Sequence, residues 1–278
     1  MRLRKKSVII IGLLCIIVLA GITIKTNISK KTSIAGPQVE VVKDIDVAVS
    51  NAIKSRSTAY GPGELATEGH IILGTEESSG ITKVYTIASY GAFGFENGIF
   101  TTVSGSGPIP TVITFSKNEL GQYSLLNYKE PLDGALYAES LKKMFPDKLK
   151  NQVLAADKYY PELTKQKEAQ AAEYLKSMGR NAQVSAVHVP RKLASISVQA
   201  SNKLFGELAK SNSFLNKCPY WIGSRELIEN GKRYVYETSQ SKTADGFDLI
   251  TFKKTKEDGT VVEEAKYKIV VDEPIPLN

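Results

Sequence analysis

The sharpest chemical pattern in the sequence is Ser140-Leu141-Lys142-Lys143. On a helix, one turn would bring the Lys143 amine near the Ser140 hydroxyl, the nucleophile-and-base pairing of penicillin-binding acyl transferases. Lys242-Thr243-Ala244 echoes the Lys-Thr-Gly motif of those enzymes, but no Ser-Asp-Asn element lies between the two segments. A chain this rich in Ser and Lys matches so short a pattern by chance. Leu141, Met144 and Phe145 also give the segment the apolar stripe of an amphipathic surface helix.

Glu68 and His70 alternate along a strand-like run and so face the same way. No second histidine stands near them, His-Glu-x-x-His is absent, and the chain holds only two histidines, so a zinc site lacks ligands. His188, two residues before Pro190, has the same structural reading. Gly105-Ser106-Gly107-Pro108 is followed by a strand pattern and by no glycine or lysine at phosphate-loop offsets; it reads as a turn. Glu76-Glu77 and Glu263-Glu264 occupy adjacent strand positions, hence opposite faces, as solvated pairs do. The expectation is no catalytic residue, no cofactor and no metal ligand.

Aromatic residues are the remaining handle. They crowd the region from Tyr85 to Tyr128, and most belong in a core. Tyr85, Tyr90, Tyr123 and Tyr128, with Trp221, form the candidate ligand or partner surface. Cys218-Pro219-Tyr220-Trp221 places the single Trp beside a Cys, a cluster suited to anchoring a loop or forming an interaction edge.

The elements that must position these groups begin with an N-terminal address. Arg2, Arg4, Lys5 and Lys6 precede an unbroken apolar run, Val8 to Ile24. That length suits a short spanning helix of ~17–25 residues better than the ~7–15-residue core of a secretory signal. The positive-inside rule then leaves the N-terminus in the cytoplasm and everything after Lys25 outside. The expectation is a single-pass, cell-membrane signal-anchor, with cleavage after Ala20 and secretion as the alternative. Cys15 lies in mid-run after Leu14, which argues against a lipoprotein.

The chain has 36 Lys and Arg against 29 Asp and Glu, a formal +7. Setting aside the four cations of residues 1–24 leaves 32 against 29, a net of +3. That is an ordinary surface, without the basic stripe that phosphate backbones require, so nucleic acid is excluded as a partner. The partners expected are the membrane, through the N-terminal helix, and a protein or a small envelope-derived ligand. Beyond the apolar run only Cys218 remains, so that part must be held by its core.

Residues 25–41 read as a polar linker. A helix is expected over 42–56, from Val42, Ile45, Val49, Ala52 and Ile53 on one face. Five β-branched and aromatic runs follow between Leu65 and Tyr128, separated by turn signals such as Asn97-Gly98, and predict an antiparallel meander. Helices are expected over 135–154, 157–179 and 199–211, with a strand at 183–189 between. Three runs after Arg233, with Asp258-Gly259 as a hairpin turn, predict a second antiparallel sheet. The fold class is therefore α+β: one transmembrane helix, a five-stranded meander with flanking helices, and a C-terminal three-stranded sheet. Its divisions are 1–24, 25–41, a lobe at 42–155 and a lobe at 156–278.

Several phrases together carry a resemblance: EGHIILGTEE, TKVYTIASYGAFGFENGIFTTVSGSGPIPTVITFSK, ESLKKMFP, AAEYLKSMGR and NKCPYWIGSRELIENGKRYVYETS. Across roughly residues 43–278 the chain resembles the extracytoplasmic C-terminal region of the bla/mec-type antirepressor membrane metallopeptidases, drug-resistance regulators of Gram-positive bacteria. In that family a transmembrane bundle carries a zinc peptidase, and the best-known relatives have a penicillin-binding sensor outside. This chain departs from both parts, with one apolar segment, no His-Glu-x-x-His and an incomplete match at Ser140 and Lys143. The resemblance implies an outward-facing sensory module detached from its protease. The expected function is accordingly a non-enzymatic, membrane-anchored sensory or regulatory module in antibiotic-resistance or envelope-stress signalling. The alternatives are a serine acyl-enzyme using Ser140 and Lys143, and a structural envelope protein.

Overall fold

A computed structural model describes residues 42–277. The membrane helix expected within 1–24 and the linker at 25–41 lie outside the described residues. Among the described residues no helix is long and apolar enough to cross a membrane.

The described residues form a mostly-sheet fold, which corrects the expected α+β class with its pair of separate sheets: among them eleven strands join into a single, mostly antiparallel array. Its organiser is β2 (Ile81–Glu96), sixteen residues long and buried almost throughout. On one edge β2 pairs with β1 (Leu65–Ser78) from Ile81 to Phe93. On the other edge, two strands share its length. β3 (Ile99–Gly105) takes the C-terminal half and β4 (Ile109–Lys117) the N-terminal half, with β5 (Tyr123–Lys129) outside β4.

This replaces the expected meander. The segment after Gly105 does not reverse the chain. It is a break within one long antiparallel run, held where Ser106 N donates to Tyr90 O at 2.9 Å. Glycine is required there because a side chain on Gly105 would run into that same carbonyl oxygen.

Alternation along β2 and β4 feeds two cores on opposite faces. Val84, Ala88, Tyr90 and Ile113 pack against α1 (Ile45–Lys54), whose N-cap Asp44 accepts from Asp46 N. Tyr85, Ile87 and Val112 pack against α2 (Tyr137–Met144), α3 (Lys150–Leu154) and α4 (Tyr160–Ser177). α4 lies so close to β1 that a Cβ on Gly69 would sit 2.5 Å from the carbonyl oxygen of Leu163. Its amide side chains also close the free edge of β1. Gln166 Oε1 accepts from His70 N at 2.9 Å, and Gln170 Nε2 donates to Glu68 O at 2.6 Å, as a neighbouring strand would.

The strand expected at 183–189 shrinks to β6 (Val184–Ser185), paired in parallel with β3. The helix expected at 199–211 is continuous but changes pitch, as α5 (Val198–Ser201), a π segment (Asn202–Leu208) and α6 (Ala209–Ser211). A short α7 (Ser213–Lys217) follows, N-capped by Asn212.

The C-terminal part contributes five strands, where three were expected: β7 (Gly223–Glu229), β8 (Lys232–Lys242), β9 (Asp248–Lys256), β10 (Val261–Val270) and β11 (Glu273–Leu277). The helical stretch 198–217 covers one face, over Tyr236, Ile250, Phe252 and Ile269. β11 is an edge strand with prolines at 274 and 276, residues that withhold N–H groups from further pairing. β7 joins this part to β2 through a single register pair, Glu96 with Arg225.

Candidate functional site

A groove lies at that seam. Beyond Leu65 the edge of β2 passes from β1 to β7, and a cavity of about 660 Å3 opens among β2, β7, the 61–64 segment and the Tyr220-Trp221 loop. The seam is held first by Asn97 in the β2–β3 turn, at φ 51°. Asn97 N donates to Ser224 O at 2.9 Å and Ser224 N donates back to Asn97 Oδ1 at 2.8 Å. Gly223 must be glycine beside it, because a Cβ there would collide with the Asn97 amide.

Charge pairs hold it next. Arg233 donates to both Glu64 carboxylate oxygens at 2.6 and 2.7 Å and to Glu226 at 3.0 Å. Arg180, just beyond α4, donates to Glu226 at 2.8 and 3.1 Å and lies 3.8 Å over the Phe95 ring. Together they tie β1, α4, β7 and β8 into one buried network, which low dielectric strengthens. Burial alone would raise the Glu229 carboxyl, but Lys217, Lys254 and Tyr236 surround it and bring it down to about 2.

The groove wall is aromatic and cationic. Glu96, 3% exposed, accepts a bidentate pair from Arg191 at 2.6 and 3.1 Å. That bond holds the Arg191 guanidinium above its usual pKa and fixes it 4.1 Å over the Trp221 ring. Tyr220 meets Trp221 edge-on at 5.0 Å. Trp221 itself is 3% exposed, yet its Nε1–H meets no acceptor among the described residues. Arg225 donates to the carbonyls of Asn216, Lys217 and Cys218, closing the C-terminus of α7, and no carboxylate among the described residues pairs with it. Burial holds its pKa below the usual arginine value. Cys218 is a free thiol in the C-terminal core, pushed up to about 12 by burial.

Of the five aromatic residues singled out in the sequence, Trp221 alone lines this groove. Tyr85 and Tyr90 lie on opposite faces of β2 and cannot share a surface. Tyr85 donates to Glu76 at 2.9 Å and is pushed up to about 12, chiefly by burial. Tyr90 stacks on Tyr60 at 4.7 Å. Tyr123 and Tyr128 pack at the α1 core, under Lys117 and Arg56 respectively. Glu96, Arg191 and Arg225 were not singled out, since they come together from distant parts of the chain. Arg225 had only the alternation of Arg225, Leu227 and Glu229 to mark its strand.

Ser140 and Lys143 are not brought together as a pair. Ser140 Oγ donates to Tyr137 O and accepts from Leu132 N, both at 2.9 Å, while the Lys143 amine donates to Glu139 at 2.6 Å. Glu68 and His70 do face one side and meet at 2.8 Å, with Asp46 of α1 at 3.2 Å from the other ring nitrogen. Burial depresses the His70 pKa, but the two carboxylates outweigh it and raise it above 6.5; burial raises Glu68, and His70 brings it below its usual value. Among the described residues no cluster of His, Cys, Asp and Glu has metal-holding geometry. On the opposite face of the sheet, the buried Lys167 amine donates to Ser89 Oγ at 2.9 Å, and desolvation lowers its pKa. Ser89 is 2% exposed, so this pair has no access to substrate.

The chain was compared with protein families, with curated proteins and with solved structures, and none of the three comparisons yields a match.

Proposed function

We propose that this protein is a non-enzymatic, extracytoplasmic sensory module whose ligand binds in the groove at the seam of the sheet. One observation carries the reading: a cavity of about 660 Å3 at the seam, walled by the Tyr220-Trp221 pair and by Arg191 held over the Trp221 ring. The volume falls within the range of small-molecule sites, roughly 300–1,000 Å3. The lining carboxylates Glu64, Glu96, Glu226 and Glu229 are all paired to cations, which suits holding a ligand better than moving its protons. The apolar run at Val8–Ile24 and the resemblance to the outer region of antirepressors support reading it as a module outside the membrane, in resistance or envelope-stress signalling.

Native mass spectrometry of the full chain, extracted from membranes of its own host, tests this reading. A small molecule retained by the wild type and lost on filling the groove with Val103→Trp supports it. Retention by the filled variant, or no adduct in either protein, contradicts it.

A further inference from the structure

The groove lies in the plane of the sheet and not on either face. Side chains alternate along a strand, so a cavity on one face is lined by every second residue. Here Gly94, Phe95 and Glu96 line it without a break on the β2 side, and Arg225 to Glu229 on the β7 side. It is a gap between two strand edges, beside their one register pair. Past that pair, β2 turns its edge to Glu64, whose N–H donates to Phe93 O at 2.7 Å, and then to β1. β7 is left without a strand on this side among the described residues, although its other edge pairs with β8 from Gly223 to Glu229.

The direction of its free groups follows from the register. The β7–β8 hairpin closes through Asn230-Gly231, both at positive φ, so Glu229 and Lys232 are a hydrogen-bonded pair. Leu227 and Arg225 face β8 in alternation with them, whereas Ser224, Glu226 and Ile228 turn N–H and C=O outward. Ser224 bears this out: its carbonyl accepts from Asn97 N and its own N–H donates to Asn97 Oδ1. At Ile228 the same two groups open into the gap.

We infer that the groove takes a short extended peptide, which adds to β7 as a strand and exchanges backbone hydrogen bonds with Ile228. The lining glutamates are already paired to cations, so recognition falls to backbone groups and apolar contact. About four residues, at ~3.4 Å each, would span Glu226 to Glu229. Their side chains would alternate between the two faces of the sheet, and each face offers an exposed apolar contact. Ile228 stands on one, and Tyr220, beside Arg191, on the other with Glu96 and Arg225. A peptide with apolar side chains fits both. This inference rests on the groove being the ligand site, and its experiment separates the two ideas.

The full-length protein is incubated with a mixed library of acetylated, amidated tetrapeptides built from Val, Ile, Leu, Phe, Tyr and Thr. A second sample receives the same library N-methylated at every peptide nitrogen, and native mass spectrometry reads what each retains. Methylation removes the donors and keeps the backbone off a strand edge, so the plain library should be retained about tenfold more strongly or better. Val103→Trp should abolish that retention. Ile228→Pro should weaken it about as much as methylation does, because proline removes the outward N–H and leaves the bonds between β7 and β8 in place. The comparison of the two libraries on the unmodified protein decides the matter if that variant fails to fold. Equal retention of both libraries, lost in Val103→Trp, would overturn strand addition and leave the groove as a ligand site. Retention of neither library, while a host molecule is still lost on Val103→Trp, would overturn the peptide assignment and leave the groove reading standing. Peptide retained undiminished by Val103→Trp, or neither peptide nor host molecule on the wild type, would overturn both.

Discussion

The two halves of the sheet are made from similar strands but are covered differently. In the N-terminal half, β2 and β4 are packed on both faces, so the adjacent residues Val112 and Ile113 are both buried and belong to different cores. In the C-terminal half only one face is covered. Ile250 and Phe252 are fully buried, while their neighbours Leu249, Thr251 and Lys253 are half-exposed. A strand covered on both sides reads as a nearly continuous apolar run, and one covered on a single side alternates. The difference places rigidity in the first half and leaves the seam, with one register pair of backbone, to be held by side chains. A ligand site at such a junction touches both halves at once.

The largest effect should come from breaking that seam. Arg233→Met leaves Glu64 buried without its cation and Glu226 with Arg180 alone, a loss of about 3–5 kcal/mol for a broken buried pair. Thermal unfolding followed by calorimetry should show a lower midpoint and a transition split in two, the C-terminal half melting first. A single transition at the wild-type temperature would mean that the seam ions contribute nothing.

Paired alanine scans sharpen the contrast in covering. Val112→Ala and Ile113→Ala should each cost about 2–4 kcal/mol, because each opens a cavity in a different core. Ile250→Ala should cost about as much, whereas Leu249→Ala on the open face should stay within about 1 kcal/mol. Urea denaturation measures all four, and equal costs at 249 and 250 would break the comparison.

A pH series separates the buried pair on the α1 side. His70 is raised above its unfolded value, so its stabilisation is fully present below about pH 6.5 and fades as pH rises through the folded value. Glu68 is lowered, so its share is present above its usual pKa and is lost as pH falls through the depressed one. His70→Gln should therefore cost about 1.5–3 kcal/mol near pH 6 and less near pH 9. A cost independent of pH would show that the imidazole is neutral throughout.

Lys167→Met should act in the other direction. A lysine desolvated without a carboxylate partner opposes folding when protonated, so its removal should stabilise by about 1 kcal/mol near pH 7, against the lost bond to Ser89. The gain should shrink as pH rises toward the unfolded lysine value, since the depressed amine is then neutral in the folded protein.

Most of the helices were legible in the sequence because their signals are local. The stripe of Val49, Ala52 and Ile53 marks α1, and the Glu, Gln and Ala content ending at Gly179 marks α4. The strands of the first half were legible as strands, but their pairing was not. Gly105 to Pro108 has the composition of a turn, and only the register against the long β2 shows that the chain keeps its direction there. β7 was missed because charges interrupt its alternation, and β11 because its prolines are read against a strand unless the strand lies at an edge. The joining of two expected sheets into one depends on Asn97 meeting Ser224, residues with no signal linking them. In the site, Trp221 stood out by rarity, whereas Arg225 and Glu96 look like ordinary surface charges until the fold brings them to the groove.

The central claim, that the seam between the halves is the ligand site, is tested most directly by hydrogen exchange of the full chain with and without the small molecule that native mass spectrometry finds on the wild type. Slowed exchange at the end of β2 (93–97) and in β7 (223–229), with β4 and β5 unchanged, is the predicted result. Protection confined to other elements, or no change at a saturating concentration of that molecule, would contradict it.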